Sequence, residues 1–348
     1  MAIIDKPSDY FETVTYTGNG GTQSITSLDF QPDMVWGKGR TLSGYNHGVV
    51  DSVRGVSKLI YPNLTEAEGT YSTGITSFNS DGFSVGSGNV FNNGSNTYVA
   101  WNWKAGTSFT NDASATGIGS IDSTGSVNQD AGFSIVSYTG NSPTATTIKH
   151  GLNSVPQMII FKRRVGAGNW VTYHQATGNT KALVLNTAAA PDTSAGYFNN
   201  TTPTSSVFSV ANSGDTNSNG NPMIAYCFAE KQGYSKFGSY TGNGNADGTF
   251  VYTGFKPAWV MIKLTSGAAE DWKIYDDKRL GYNAANKSLA ANTNAADSNS
   301  NISIDILSSG FKNRNTSGAL NSSGATYIFM AFASNPFVTS TGVPATAR

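Results

Sequence analysis

Tyr16-Thr17-Gly18-Asn19 returns as Tyr138-Thr139-Gly140-Asn141 and again as Tyr240-Thr241-Gly242-Asn243. Each copy is followed by a proline that leads an apolar run: Pro32-Asp33-Met34-Val35-Trp36, Pro156-Gln157-Met158-Ile159-Ile160-Phe161, and Pro257-Ala258-Trp259-Val260-Met261-Ile262. A short segment with phenylalanine comes next: Gly82-Phe83-Ser84-Val85, Val207-Phe208-Ser209-Val210, and Gly310-Phe311-Lys312. An almost wholly apolar run closes each copy: Tyr98-Val99-Ala100-Trp101-Asn102-Trp103, Met223-Ile224-Ala225-Tyr226-Cys227-Phe228, and Tyr327-Ile328-Phe329-Met330-Ala331-Phe332. Four landmarks in one order, three times, define tandem units of about ninety residues, a period longer than that of common solenoids.

The closing runs alternate small and bulky residues but are apolar on both faces, which predicts central strands covered on both sides. Asn92-Asn93-Gly94-Ser95-Asn96, Asn217-Ser218-Asn219-Gly220-Asn221 and Asn321-Ser322-Ser323-Gly324 precede them. Such stretches read as hairpin turns with a residue at positive φ. The three prolines read as strand starts, where a missing N–H does no harm. The predicted fold is all-β: three tandem antiparallel β-sandwich, jelly-roll-like domains. Residues 1–105 form the first with an N-terminal arm, 106–130 a polar linker, 131–232 the second unit, 233–337 the third and 338–348 a C-terminal tail. The long linker after the first unit and the short link after the second predict that units two and three pack together. The first would then hang on a looser strap, and the arm would dock on a neighbour.

Composition narrows the function. Lys+Arg and Asp+Glu are both 22, and only 13% of residues are charged. No basic field is present to follow a phosphate backbone or an anionic membrane, so neither nucleic acid nor membrane is an expected partner. No stretch is long and apolar enough for a transmembrane helix. Cys227 is the single cysteine, which excludes an intrachain disulfide. His47, His150 and His174 fall in different units without the paired spacing of a metal site, so no metal or cofactor is expected. Asp215 to Gly220 copies half a calcium loop, but Tyr226 stands where the closing glutamate belongs. No nucleophile elbow or suitably spaced carboxylate pair appears, and the chain does not read as an enzyme.

Two repeated patterns give candidate contact residues. Trp170 with Tyr173, and Trp272 with Tyr275, share a Trp-x-x-Tyr spacing, with His47 in the tryptophan's place in unit one. Flat rings of this kind either stack on sugars or pack in a core strand. Asp51 with Arg54, and Asp276 with Arg279, share Asp-x-x-Arg, while unit two has His174 and Thr177 there. Such pairs act as fixed ion pairs or as polar ligand contacts.

The opening Asp5-Lys6-Pro7-Ser8-Asp9-Tyr10-Phe11, the segment Gly233-Tyr234-Ser235-Lys236-Phe237-Gly238-Ser239-Tyr240-Thr241-Gly242-Asn243-Gly244, and the ending Met330-Ala331-Phe332-Ala333 with Asn335-Pro336-Phe337 resemble a family of repeat proteins of marine bacteriophages. The resemblance covers residues 5 to about 337. It implies a virion location and a structural role on the particle as tail fibre, tail knob or head decoration, in assembly and host-surface adhesion. Other virion proteins, copies of the chain in a homo-oligomer such as a trimer, and a host surface glycan are the partners that follow. A carbohydrate-binding module, or the binding part of a depolymerase, is the alternative. No catalytic residues travel with the resemblance.

Overall fold

The computed structural model describes residues 3–143, 145–279 and 285–345. It is all-β, with antiparallel sheets and helices of only three or four residues. In every unit the tyrosine landmark forms an opening strand: Phe11–Thr17, Phe133–Thr139 and Ser235–Thr241. It pairs with the closing strand, Thr97–Trp103, Pro222–Phe228 or Thr326–Pro336. The register is the same each time, with Tyr16 opposite Tyr98, Tyr138 opposite Met223 and Tyr240 opposite Tyr327. The closing strand's other neighbour is the proline strand: Met34–Gly39, Met158–Arg163 or Phe255–Leu264. That strand in turn pairs with a flanking strand, Gly48–Asp51, Trp170–His174 or Lys273–Asp276. Across the unit's own core, a short second strand (Gln23–Ile25, Thr146–Lys149, Phe250–Tyr252) pairs with the phenylalanine strand.

The opening tetrapeptide is explained by what it touches. The tyrosine hydroxyls donate to backbone oxygens of Phe91, Thr216 and Leu320, at 2.8, 2.5 and 2.7 Å. The next residue in each case is a fully buried asparagine, Asn92, Asn217 or Asn321. Its side-chain oxygen accepts from the backbone N–H of Asn19, Asn141 or Asn243 at 2.7–2.9 Å, and its amide bonds back to that residue's side chain. The intervening glycine cannot be replaced, because a Cβ at Gly18, Gly140 or Gly242 would meet a backbone oxygen at 2.3 Å.

Several expectations are corrected. The asparagine turns are not hairpins, because the strands they join are not paired with each other. In units one and two the phenylalanine strand and the closing strand lie in different sheets, and in unit three they lie apart in one eight-strand run. Pro257 lies inside its strand, where register shifts on either side of it form a bulge that spares the missing N–H. Residues 106–130 are not a free linker. Thr107–Asn111 and Ser123–Asn128 pair with each other, and the latter adds to the second unit's opening strand. A polar edge strand needs only its ladder and a few anchors, here Val127 and the partly buried Phe109. Asp112 caps the short helix between them by accepting from the Ala115 N–H at 3.0 Å.

The first unit does not hang loosely either. Beside three local cores lies a fourth, built from the far faces of all three main sheets. Val99, Trp101 and Trp103 face it, as do Ile224, Tyr226 and Phe228, and Ile328, Met330 and Phe332. The alternate residues Ala100, Ala225 and Ala331 face the local cores, so the closing strands are covered on both sides. The last rings of the three landmarks, Trp103, Phe228 and Phe332, form a triangle with centroids 5.6, 6.1 and 6.3 Å apart. Equivalent residues meeting at one point place the units around an approximate threefold axis. The N-terminal arm seats on the chain itself: Ile4 donates to the Gln232 oxygen and packs against the shared core. Asp5 accepts from Ser340, which ties the arm to the tail.

One turn carries a testable strain. Ser95 has φ +66°, at the position held by Gly220 at +69° and Gly324 at +73°. An L-residue there costs about 1 kcal/mol relative to glycine. Ser95→Gly is expected to stabilise the protein by that amount, read as a higher denaturant midpoint; Gly220→Ser should lower it by as much.

Candidate functional site

The structure buries all the predicted contact residues and brings the tryptophans and the ion pairs, though not the tyrosines, to the junctions between units. Trp170 and Trp272 are each 1% exposed, and Tyr173 and Tyr275 are 3% and 0%. No face of these rings is open to a sugar. The tyrosines belong to the local cores, the tryptophans to the shared one. Trp170 Nε1 donates to the Tyr61 oxygen of unit one at 2.9 Å, and Trp272 Nε1 to the Val184 oxygen of unit two at 3.1 Å. His47 fills the same role in unit one, with Nε2 at 3.1 Å from the Ala290 oxygen of unit three. Its tautomer follows from its surroundings: Nδ1 accepts from Trp36 Nε1 at 3.0 Å, so the proton is on Nε2. Each unit thus reaches its neighbour in one rotational sense: second to first, third to second, first to third.

The Asp-x-x-Arg pairs lie on the same junctions. Arg54 Nε donates to Asp51 at 2.5 Å, and Arg279 Nε to Asp276 at 2.6 Å, with all four side chains fully buried. Asp51 also accepts from Tyr226 Oη of unit two at 2.6 Å, and Asp276 from Trp101 Nε1 of unit one at 3.1 Å. Each arginine continues into a second acid and a second arginine: Arg54–Glu68–Arg164, and Arg279–Asp297–Arg40. Burial alone would raise the Glu68 carboxyl; the guanidinium groups of Arg164 and Arg54 outweigh it and hold it below its ordinary value. Among the described residues the junction of units two and three has no such chain. His174 takes the aspartate's place and lies 3.3 Å from the Phe329 oxygen, while Thr265 stands where Arg40 and Arg164 stand in the other units.

Sequence reading missed three further buried cations. Lys38, Lys162 and Lys263 are 0% exposed, and burial pushes each amine down to about 8. Lys162 donates to oxygens of Thr65 and Gly168, and Lys263 to oxygens of Ala188 and Glu270, so both bridge units. The signal was available: each lysine stands at the same offset after the landmark proline. The half calcium loop is also structural, since Asp215 accepts from the Asn169 N–H at 2.9 Å. Among the described residues no three His, Cys, Asp or Glu side chains group as a metal site would.

All three histidines have one pattern. Nδ1 accepts from Trp36 Nε1, Leu152 N or Ala176 N, and Nε2 faces a backbone oxygen. Protonating Nδ1 would set two donors against each other in a dry site. Burial accordingly lowers His150 and His174 to about 4, and His47 well below its ordinary value. The unfolded chain binds these protons first, so the histidines' share of stability is present above pH 6.5 and lost as pH falls towards 4. Two shifts of this size correspond to about 3 kcal/mol each. Asp277, raised by burial to about 6, opposes this over part of the same range. Chemical denaturation at pH 7 and pH 4.5 should show a loss of several kcal/mol, smaller in His150→Gln.

With these rings and ion pairs buried, the outward faces are left to meet other molecules, and there the units differ. The second strand points two residues outward, flanking an inward one that pairs with the landmark phenylalanine. In unit one these are Ser24 and Thr26, and in unit two Thr147 and Lys149. In unit three they are Phe250 and Tyr252, 44% and 62% exposed. Phe337, 37% exposed, lies nearby, its N–H on the Gly254 oxygen. Comparison with curated proteins gives no match. A family model described as a domain of unknown function, DUF7483, matches residues 6–336, the span of all three units, and the chain belongs to that family.

Proposed function

We propose that the chain is a structural component of a bacteriophage particle, exposed on the virion as tail fibre, tail knob or head decoration, and acting in assembly and host-surface adhesion. The observation that carries this reading is the shared core. Three β units are fused around one axis, and the aromatic and ionic groups repeated between them lock unit to unit. The void at the centre, among Trp36, Trp103, Trp170 and Trp259, is only about 10 Å³, about the size of one water molecule and far too small for a ligand. Such a body suits a rigid display module, whose unequal outward faces meet different neighbours. Each unit reads as a jelly-roll-like sandwich, with its local core between two sheets. The threefold arrangement within one chain suits a threefold position on a particle or the head of a fibre.

The experiment is immunogold electron microscopy with an antibody to the chain on intact, purified particles. Label on tail or head is the expected result. Unlabelled particles, with the protein recovered only free in the lysate, would sink the reading. A saccharide-binding module free of any particle is the second reading, favoured by the exposed Phe250 and Tyr252 alone.

A further inference from the structure

We propose that the outward strip Phe250–Tyr252 and the groove beside it form a binding site for a hydroxyl-rich, uncharged saccharide chain. The site deepens the adhesion part of the proposed function and rests on that reading for its biological partner. Three observations place it. First, the fold does not require aromatics at these positions, because the equivalent ones in units one and two are Ser24, Thr26, Thr147 and Lys149. Second, the strip lies on Phe250–Tyr252, the outermost strand of an eight-strand run. Edge strands are ordinarily blunted with charge rather than with aromatic side chains. Alternate residues on a strand share a face about 7 Å apart, so the two rings lie side by side towards solvent.

Third, Tyr252 borders a groove of about 620 Å³ at the junction of units two and three, lined also by Gln157, Gln175, Glu230, Gln232 and Lys236. This lining suits sugar hydroxyls. Gln157 uses its side-chain oxygen on the Glu230 N–H, which leaves its amide donors unbonded. Gln175 uses its amide on the Phe237 oxygen, which leaves its carbonyl to accept. The one charged pair, Lys236 with Glu230 at 2.7 Å, is internally neutralised, so the groove presents no net charge to select an ionic ligand. A pyranose offers an apolar face for Tyr252 and hydroxyls for the glutamines, a combination a hydrophobic protein surface does not match.

Saturation-transfer difference NMR on the full chain tests the site, with cellohexaose, laminarihexaose and mannohexaose at millimolar concentration as probes. Transfer to ring protons of at least one sugar is expected. It should fall at least several-fold in the double variant Phe250→Ser, Tyr252→Thr, which reproduces unit one, at an unchanged melting temperature. Gln157→Ala should weaken the same signal without touching the strip. Absence of transfer from all three sugars, or equal transfer in the double variant, overturns the proposal. So does a concentration-dependent dimer that the double variant dissolves, which would make the strip a contact between copies of the chain. Labelled particles without sugar transfer would remove this site and leave the virion reading; sugar transfer with unlabelled particles would do the reverse.

Discussion

Replacing Asp51 by alanine is expected to destabilise the protein by about 3–5 kcal/mol, as for other buried pairs broken on one side. Asp51 holds four groups at once: the Arg54 N–H and Nε, the Tyr226 hydroxyl, and through Arg54 the Glu68–Arg164 chain. Removing it strands a fully buried guanidinium, which retains Glu68 and the oxygens of Val49 and Lys58 but loses its nearest counter-charge. Since Tyr226 belongs to unit two, the loss falls on the junction as well as on unit one. Asp276→Ala should cost a similar amount, because Trp101 and Arg279 repeat the arrangement between units one and three. The double variant Asp51→Ala, Arg54→Met should recover much of the loss, since it removes the stranded charge. Equilibrium urea unfolding of the single and double variants reads this directly. A single-variant loss under 1 kcal/mol would mean the pair contributes little, as exposed pairs do.

The junction of units two and three shows that the fold tolerates absence of the pair when both partners are gone. His174 and Thr177 replace the acid and the arginine there, and a neutral imidazole meets the neighbour's backbone. This explains why the repeat was legible while the site was not. Periodicity reports which residues are apolar and how often they recur, and this sufficed for the strands, the closing runs and the three units. It cannot report which neighbour covers a strand's second face. The Trp-x-x-Tyr and Asp-x-x-Arg spacings were visible, but whether a repeated ring or ion pair faces solvent or another unit is a tertiary fact. The linker misled for a related reason. Its Ser, Thr and Gly composition resembles a strap, yet an edge strand needs little apolar surface when its ladder is satisfied. The buried asparagines and lysines were overlooked because polar residues in polar-rich stretches carry no hydropathy signal. Only their constant offset from a landmark gives them away.

Heating should melt the chain in one transition rather than three. A string of independent units would give a calorimetric enthalpy about three times the van't Hoff value, since each unit would unfold alone. Here the far faces of all three main sheets are buried together in one shared core. A unit that unfolded first would expose those faces, along with the stacked Trp103, Phe228 and Phe332 and the junction ion pairs. The expected ratio is therefore near one, with a total enthalpy of roughly 240 kcal/mol near 60 °C for 348 residues. Trp259→Ala sharpens the test. Trp259 lies in unit three but touches Phe11, Trp101 and Trp103 of unit one as well as its own Phe332. Its loss should cost about 3–5 kcal/mol. In a fused body that penalty lowers the whole transition by roughly 5 °C while keeping it single. In a string of units it would split off one-third of the enthalpy at lower temperature and leave the rest in place. Calorimetry of the two proteins separates these outcomes, and a split transition would remove the shared core as the basis of the molecule's rigidity.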